Sequence, residues 1–166
     1  AAGRLTVIDA DAHIREKDEV LRSYLPEIYR DGATRRTLFP ADSWDRAMNG
    51  RYQKQVFDVP TRIEDMGQDG IDIQVLFPTA SMNVGLVRGE PDYVIALCQA
   101  YNNMLADIVA EEPDRLRGIA LLPVQYPQEC ARELNRAVSE KGLIAGLLMA
   151  QGHGKNLGDS DYWPVY

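Results

Sequence analysis

From residue 59 onward, apolar runs and amphipathic stretches follow one another in strict succession, and this rhythm narrows the fold more than any other feature. Pro60 to Gly70 reads as a short helix, with proline near its start and glycine just past its end. Ile71 to Phe77 follows as a strand that stops at Pro78-Thr79. Pro91 opens a long helix with Val94, Leu97, Tyr101, Leu105 and Ile108 along one face, and Pro113 closes it. Leu116 to Leu122 is the next strand. A third helix starts at Pro127, with Glu129 in its first turn, Lys141 in its last and Gly142 after it. Its face carries Cys130, Leu134, Ala137 and Val138. Leu143 to Met149 reads as a further strand.

Strand, helix, strand, helix implies an α/β fold with a parallel sheet and right-handed crossovers. The strands are apolar throughout, as expected where both sheet faces are covered. An earlier apolar run, Leu5-Thr6-Val7-Ile8, supplies a first strand. Residues 14–58 interrupt the rhythm with a helical piece, about Asp18 to Tyr29, and a polar stretch holding Trp44, Arg46, Arg51 and Tyr52. An insertion of that length between a strand and its helix is usually functional. Two architectures fit: a small doubly wound sheet, or half of a (β/α)₈ barrel. A whole barrel needs about 250 residues, and this sequence has 166. The run Asp159 to Tyr166 looks like the opening of another crossover helix, with apolar residues left without packing partners. The expectation is a fragment.

Asp11-Ala12-His13 lies where the first strand runs out. Side chains alternate along a strand, so residues i and i+2 project to one side. A carboxylate and an imidazole there can reach one cation, each at about 2.0–2.2 Å for zinc. Two ligands leave a site unfinished. Asp9 is expected on the same side but deeper, in a structural hydrogen bond. The balance of 25 acidic against 18 basic residues, net −7, argues against a nucleic-acid surface. No apolar run approaches a membrane span and no signal-peptide pattern is evident, so a cytoplasmic protein is expected. Cys98 and Cys130 fall on helices and read as reduced packing residues. Neither a phosphate-cradling glycine loop nor a G-x-S-x-G elbow is present in the sequence.

Several runs resemble one family in the right order. Val7-Ile8-Asp9-Ala10-Asp11-Ala12-His13 resembles the first strand of amidohydrolase-related metal enzymes, the branch that includes aminocarboxymuconate-semialdehyde decarboxylase. The run Ile63 to Thr79 resembles that branch's first helix and second strand. Asn102-Asn103 and Pro113 to Ala120 resemble its second helix and third strand, and Gly154 to Asp159 with Tyr162 to Tyr166 the stretch after the fourth.

The resemblance implies that residues 1–166 are the N-terminal half of one (β/α)₈ TIM barrel, with an insertion at about 14–58. It implies one divalent metal ion, zinc by expectation and manganese as the alternative. Asp11 and His13 take the positions of the first-strand ligands, where relatives more often carry His or Glu first. The next ligand, a fifth-strand histidine, and the general base are expected beyond Tyr166.

Thr79, Arg51 and His153 are the candidate substrate contacts, with Ser81 and Asn83 nearby; Trp44, Arg46, Arg51 and Tyr52 read equally as a lid over the mouth or as a surface excursion packed on the barrel rim. The implied activity is hydrolysis of a small, carboxylate-bearing substrate, with non-oxidative decarboxylation as the alternative. A barrel that binds without catalysis is the alternative of another class. A homodimer is the expected assembly, as is common in the family.

Overall fold

A computed structural model describes residues 4–30, 38–39, 58–149 and 154–166. Four strands, β1 (Ile8–His13), β2 (Ile73–Phe77), β3 (Leu116–Leu121) and β4 (Ala145–Leu147), lie side by side in that order, every neighbouring pair parallel. Between them run α1 (Asp18–Ser23), α2 (Glu27–Arg30), α3 (Val59–Asp69), α4 (Pro91–Glu111) and α5 (Pro127–Ser139). Sequential strand order with a helix in each crossover is the curl of a barrel rather than the double winding of an open sheet.

Local chemistry sets the helix ends. Asp58 caps α3 by accepting the Thr61 N–H at 2.9 Å, and that backbone bond lowers its carboxyl pKa. Pro60 occupies the first turn, where no N–H is needed. Gly70, at φ 73°, ends the helix while Ile71 N–H reaches back to the Met66 carbonyl at 2.8 Å, a Schellman closure. The helical piece expected from Asp18 to Tyr29 is two helices. Pro26 separates them, since proline lacks an N–H and pushes the residue before it out of the helical region.

The core lies between sheet and helices. Leu76, Leu97, Tyr101, Leu105, Leu116 and Leu121 are fully buried. Gly118 is required by packing: a Cβ there would stand 2.7 Å from Leu143 and 2.8 Å from Leu105. Leu105 belongs to α4, so Leu116, Gly118 and Ala120 face the helices, and Arg117, Ile119 and Leu121 face the other side.

Three expectations need correcting here. Val138 is 43% exposed, and buried Glu133 takes the place on α5 that the apolar pattern assigned to it. The fourth strand is shorter than Leu143 to Met149, because the Leu143 N–H closes α5 on the Ala137 carbonyl at 3.1 Å instead of entering the ladder. The terminal segment is a 3₁₀ turn, Ser160–Val165, that buries Tyr162 and Val165 while Trp163 and Tyr166 stay exposed. Cys98 and Cys130 are buried and unpaired, and burial pushes both thiols up, Cys130 to about 12. No helix among the described residues is long and apolar enough to cross a membrane.

Candidate metal centre

The C-terminal ends of β1 and β2 form the site. Asp9 pairs with Gln74, but Ala12 pairs with Leu76 and His13 with Phe77, so β1 carries an extra residue between Asp9 and Ala12. This bulge changes which side chains share a face. Gln74 and Phe77 lie three residues apart on β2 and therefore point to opposite sides. Asp9 follows Gln74 toward the helices, and His13 follows Phe77 away from them. The expected common side for Asp9 and His13 is thus replaced by opposite sides.

Asp9 is held in hydrogen bonds, accepting from Gln74 Nε2 at 3.1 Å and from the Asp11 N–H at 3.1 Å. Arg62 of α3 continues the network, donating to Gln74 Oε1 at 2.8 Å and to the His13 carbonyl at 2.8 Å. Burial lowers the Arg62 pKa, and the Asp9 and Asp65 carboxylates counter that shift.

His13 Nδ1 lies 2.7 Å from the Pro78 carbonyl oxygen. A carbonyl only accepts, so Nδ1 carries the proton, and in the neutral imidazole Nε2 keeps its lone pair. That lone pair lies 3.8 Å from Asp11 Oδ1, with the Asp11 side chain 93% and that of His13 40% exposed. One cation about 2.1 Å from each atom fits within that separation. A fixed Nδ1–H bond to a carbonyl is the usual outer support of a metal-bound histidine. The donor set of one carboxylate oxygen and one imidazole nitrogen suits zinc or manganese. Among the described residues no group of three or more His, Cys, Asp and Glu converges, so the pair is a partial set.

Thr79 sits beside this pair, its hydroxyl donating to the Ile14 carbonyl at 2.6 Å and lying 3.5 Å from His13 Nδ1. Ser81 is buried and its hydroxyl bonds Glu16, so it faces inward. Arg51 and His153, with Trp44, Arg46 and Tyr52, lie outside the described residues. Sequence reasoning missed Glu16 and Arg62. Glu16 follows the strand by only three positions and is an acidic residue in a polar loop, with no local signal of burial.

A parallel α/β half-barrel with a carboxylate–imidazole pair at the strand ends defines a class of metal-dependent barrel proteins. Residues 8–166 match the Amidohydrolase family, and the chain belongs to it. It is 30% identical over 123 residues to the 2-amino-3-carboxymuconate-6-semialdehyde decarboxylase of Dictyostelium discoideum, covering 72% of this chain and 34% of that protein. With the gamma-resorcylate decarboxylase of Rhodococcus jostii it shares 32% over 127 residues, 75% of this chain and 35% of the relative. Among solved structures, the 5-carboxyvanillate decarboxylase of Novosphingobium aromaticivorans with bound manganese superposes with a TM-score of 0.66 at 25% identity, over 96% of this chain and 46% of that one. The chain therefore spans about a third of the length of these curated relatives.

Proposed function

We propose that the protein is a metal-dependent carboxy-lyase of the amidohydrolase family, releasing CO₂ from a small carboxylate-bearing substrate, with Asp11 and His13 as first-strand ligands of one divalent cation. The observation that carries the reading is the His13 geometry. Nδ1–H is bonded to the Pro78 carbonyl at 2.7 Å, which leaves Nε2 facing Asp11 at 3.8 Å. The relatives named above are decarboxylases, which favours carbon–carbon cleavage over the hydrolysis first expected. Manganese in a structural neighbour supports a divalent ion, with zinc as the other choice.

The chemistry such a cation supplies when bound is positive charge against a carboxylate and a neighbouring oxygen. Asp11 contributes one negative charge and His13 a neutral nitrogen, so these two ligands leave the site net positive. The Pro78 carbonyl keeps the His13 proton on Nδ1. Departure of CO₂ leaves an electron pair on the substrate carbon, which a proton must take up. That donor is a group other than Asp11 and His13, since a ligating carboxylate carries no proton and the one proton of the imidazole is held by the Pro78 carbonyl. Arg51 and His153 are proposed as donors to the substrate carboxylate. Thr79, its proton held by the Ile14 carbonyl, would offer only a lone pair.

The test uses intact protein: metal content by elemental analysis, and CO₂ release from a panel of hydroxylated benzoates including γ-resorcylate. Metal-dependent CO₂ release, lost in His13→Gln and Asp11→Asn together with the metal, is expected. Full metal content and activity in both variants, or water-dependent cleavage without CO₂, would overturn the reading.

A further inference from the structure

Glu16 is a carboxylate withdrawn from solvent, 7% exposed, and among the described residues its hydrogen bonds run to the segment that follows β2, while its charge also acts on the buried Tyr101 phenol. Its Oε1 and Oε2 accept the Thr79 N–H at 3.1 and 3.3 Å, Oε2 accepts the Ala80 N–H at 2.9 Å, and Oε1 accepts the Ser81 N–H at 3.4 Å and the Ser81 hydroxyl. The Thr79 N–H and the Pro78 carbonyl are two ends of one planar peptide unit. That carbonyl is the acceptor for His13 Nδ1–H. A continuous line therefore runs from the Glu16 carboxylate through the Pro78–Thr79 peptide to the imidazole, ending at the Nε2 lone pair.

We propose that Glu16 is a positioning residue for His13, acting through the Pro78–Thr79 peptide as a carboxylate acts directly in a carboxylate–histidine–metal triad. The inference rests on the reading of His13 as a ligand. Two physical effects follow. A carboxylate on the N–H end of a peptide polarises it, and hydrogen bonds in series strengthen one another. The Pro78 oxygen then holds the Nδ1 proton more firmly and makes Nε2 a better donor. The second effect is steric. Three backbone N–H groups on one buried carboxylate fix the path of residues 78–81, and with it the position of the carbonyl. Thr79 Oγ1 on the Ile14 carbonyl and Ile14 N–H on the Phe77 carbonyl, at 2.6 and 2.9 Å, tie the same two segments from the β1 side. Capping the 3₁₀ turn Ala80–Leu86 alone would leave the His13 proton indifferent to Glu16; the shared peptide unit makes it dependent.

The experiment is ¹⁵N-histidine NMR of the intact, metal-free protein at a pH high enough for its imidazoles to be neutral, paired with manganese titration by calorimetry. Wild type should show His13 protonated at Nδ1 and bare at Nε2. In Glu16→Gln a population protonated at Nε2 should appear and manganese affinity should fall by about 10–100-fold, the range for outer partners of metal-bound histidine. Ser81→Ala removes one donor from the carboxylate but leaves the Thr79 N–H, so the tautomer should hold. A wild-type His13 already protonated at Nε2 overturns the proposal even if Glu16→Gln fails to fold. So does a Glu16→Gln protein with unchanged tautomer, or a Ser81→Ala protein as altered as Glu16→Gln. A tautomer that responds to Glu16 while His13→Gln binds manganese like wild type keeps the positioning role and discards His13 as a ligand.

Discussion

Two polar arrangements in this sheet, one fully buried and one partly exposed, use the same chemistry to opposite ends. At β3, Asn102 of α4 is fully buried and each of its polar atoms is engaged: Nδ2 donates to the Leu121 carbonyl at 2.9 Å and to Glu133 at 2.6 Å, and Oδ1 accepts the Leu121 N–H at 2.7 Å. Glu133 is closed in turn by Arg136, which also reaches Asn103 at 3.0 Å. The Glu133 hydrogen bond, with its charge, raises the Arg136 pKa against the effect of burial. At β1, Arg62, Gln74, Asp9 and Glu16 are engaged just as thoroughly, yet His13 keeps one nitrogen open toward Asp11. The first network is sealed, and its role is to join α4, α5 and β3. The second, among the described residues, leaves the His13 Nε2 lone pair and the exposed Asp11 carboxylate open, and that opening is where chemistry can enter. Burial of polar groups therefore does not mark a site by itself; the atom left over does.

Breaking the opening should have the largest consequence. On the carboxy-lyase reading proposed above, His13→Ala in intact protein should lose divalent metal and fall below about one hundredth of wild-type CO₂ release, exceeding what outer partners contribute. Its melting temperature should stay near wild type, because the ring is partly exposed. The sealed network should answer in reverse. Asn102→Ala removes the side-chain partner of the Leu121 N–H and carbonyl and one of the donors to Glu133, which keeps Arg136, costing about 3 kcal/mol of stability by denaturant titration, with metal content unchanged per folded chain. Metal loss in Asn102→Ala without loss of stability would break the distinction.

Gly118→Ala sharpens the comparison within β3, where the constraint is steric. With Leu143 and Leu105 at 2.7 and 2.8 Å from the added methyl, destabilisation of about 1–3 kcal/mol is expected from thermal melts. The smallest effect concerns Tyr24. Burial, then its hydrogen bond to Asp107 and that carboxylate's charge, raise its pKa to about 12. The fold favours the protonated phenol, so this contribution is full below pH 10 and is lost as pH rises toward 12. Tyr24→Phe should flatten the alkaline end of the stability profile over that window.

Much of the fold could be read from punctuation. Pro60, Pro91 and Pro127 each stand in the first turn of a helix, and Gly70 ends one, because their backbone constraints are local. The later strands and their parallel order follow from the same alternation, but the first strand, expected over Leu5–Ile8, lies at Ile8–His13, and Leu5, Val7 and Ile8 are exposed. Less local features were not legible. The shortened β4 depends on where the Leu143 N–H finds a carbonyl, and the place of Glu133 depends on Asn102 across the helix interface. The pairing of Asp11 with His13 was visible as a motif, but the proton position on His13 depends on Pro78, brought alongside by β2. Glu16 was invisible for the same reason: its partners are more than sixty positions away in the chain.

The bulge between Asp9 and Ala12 has a consequence for how this segment can vary. Asp9 and His13 are kept on opposite sides by a single surplus residue. What protects that arrangement is the bulge and not the residue count. A β1 of the same length paired in plain alternation would carry Asp9 and His13, four positions apart, on one side and turn the imidazole into the helix layer. Removing the surplus residue would instead leave the two groups three apart and still opposed, so the imidazole would keep its side.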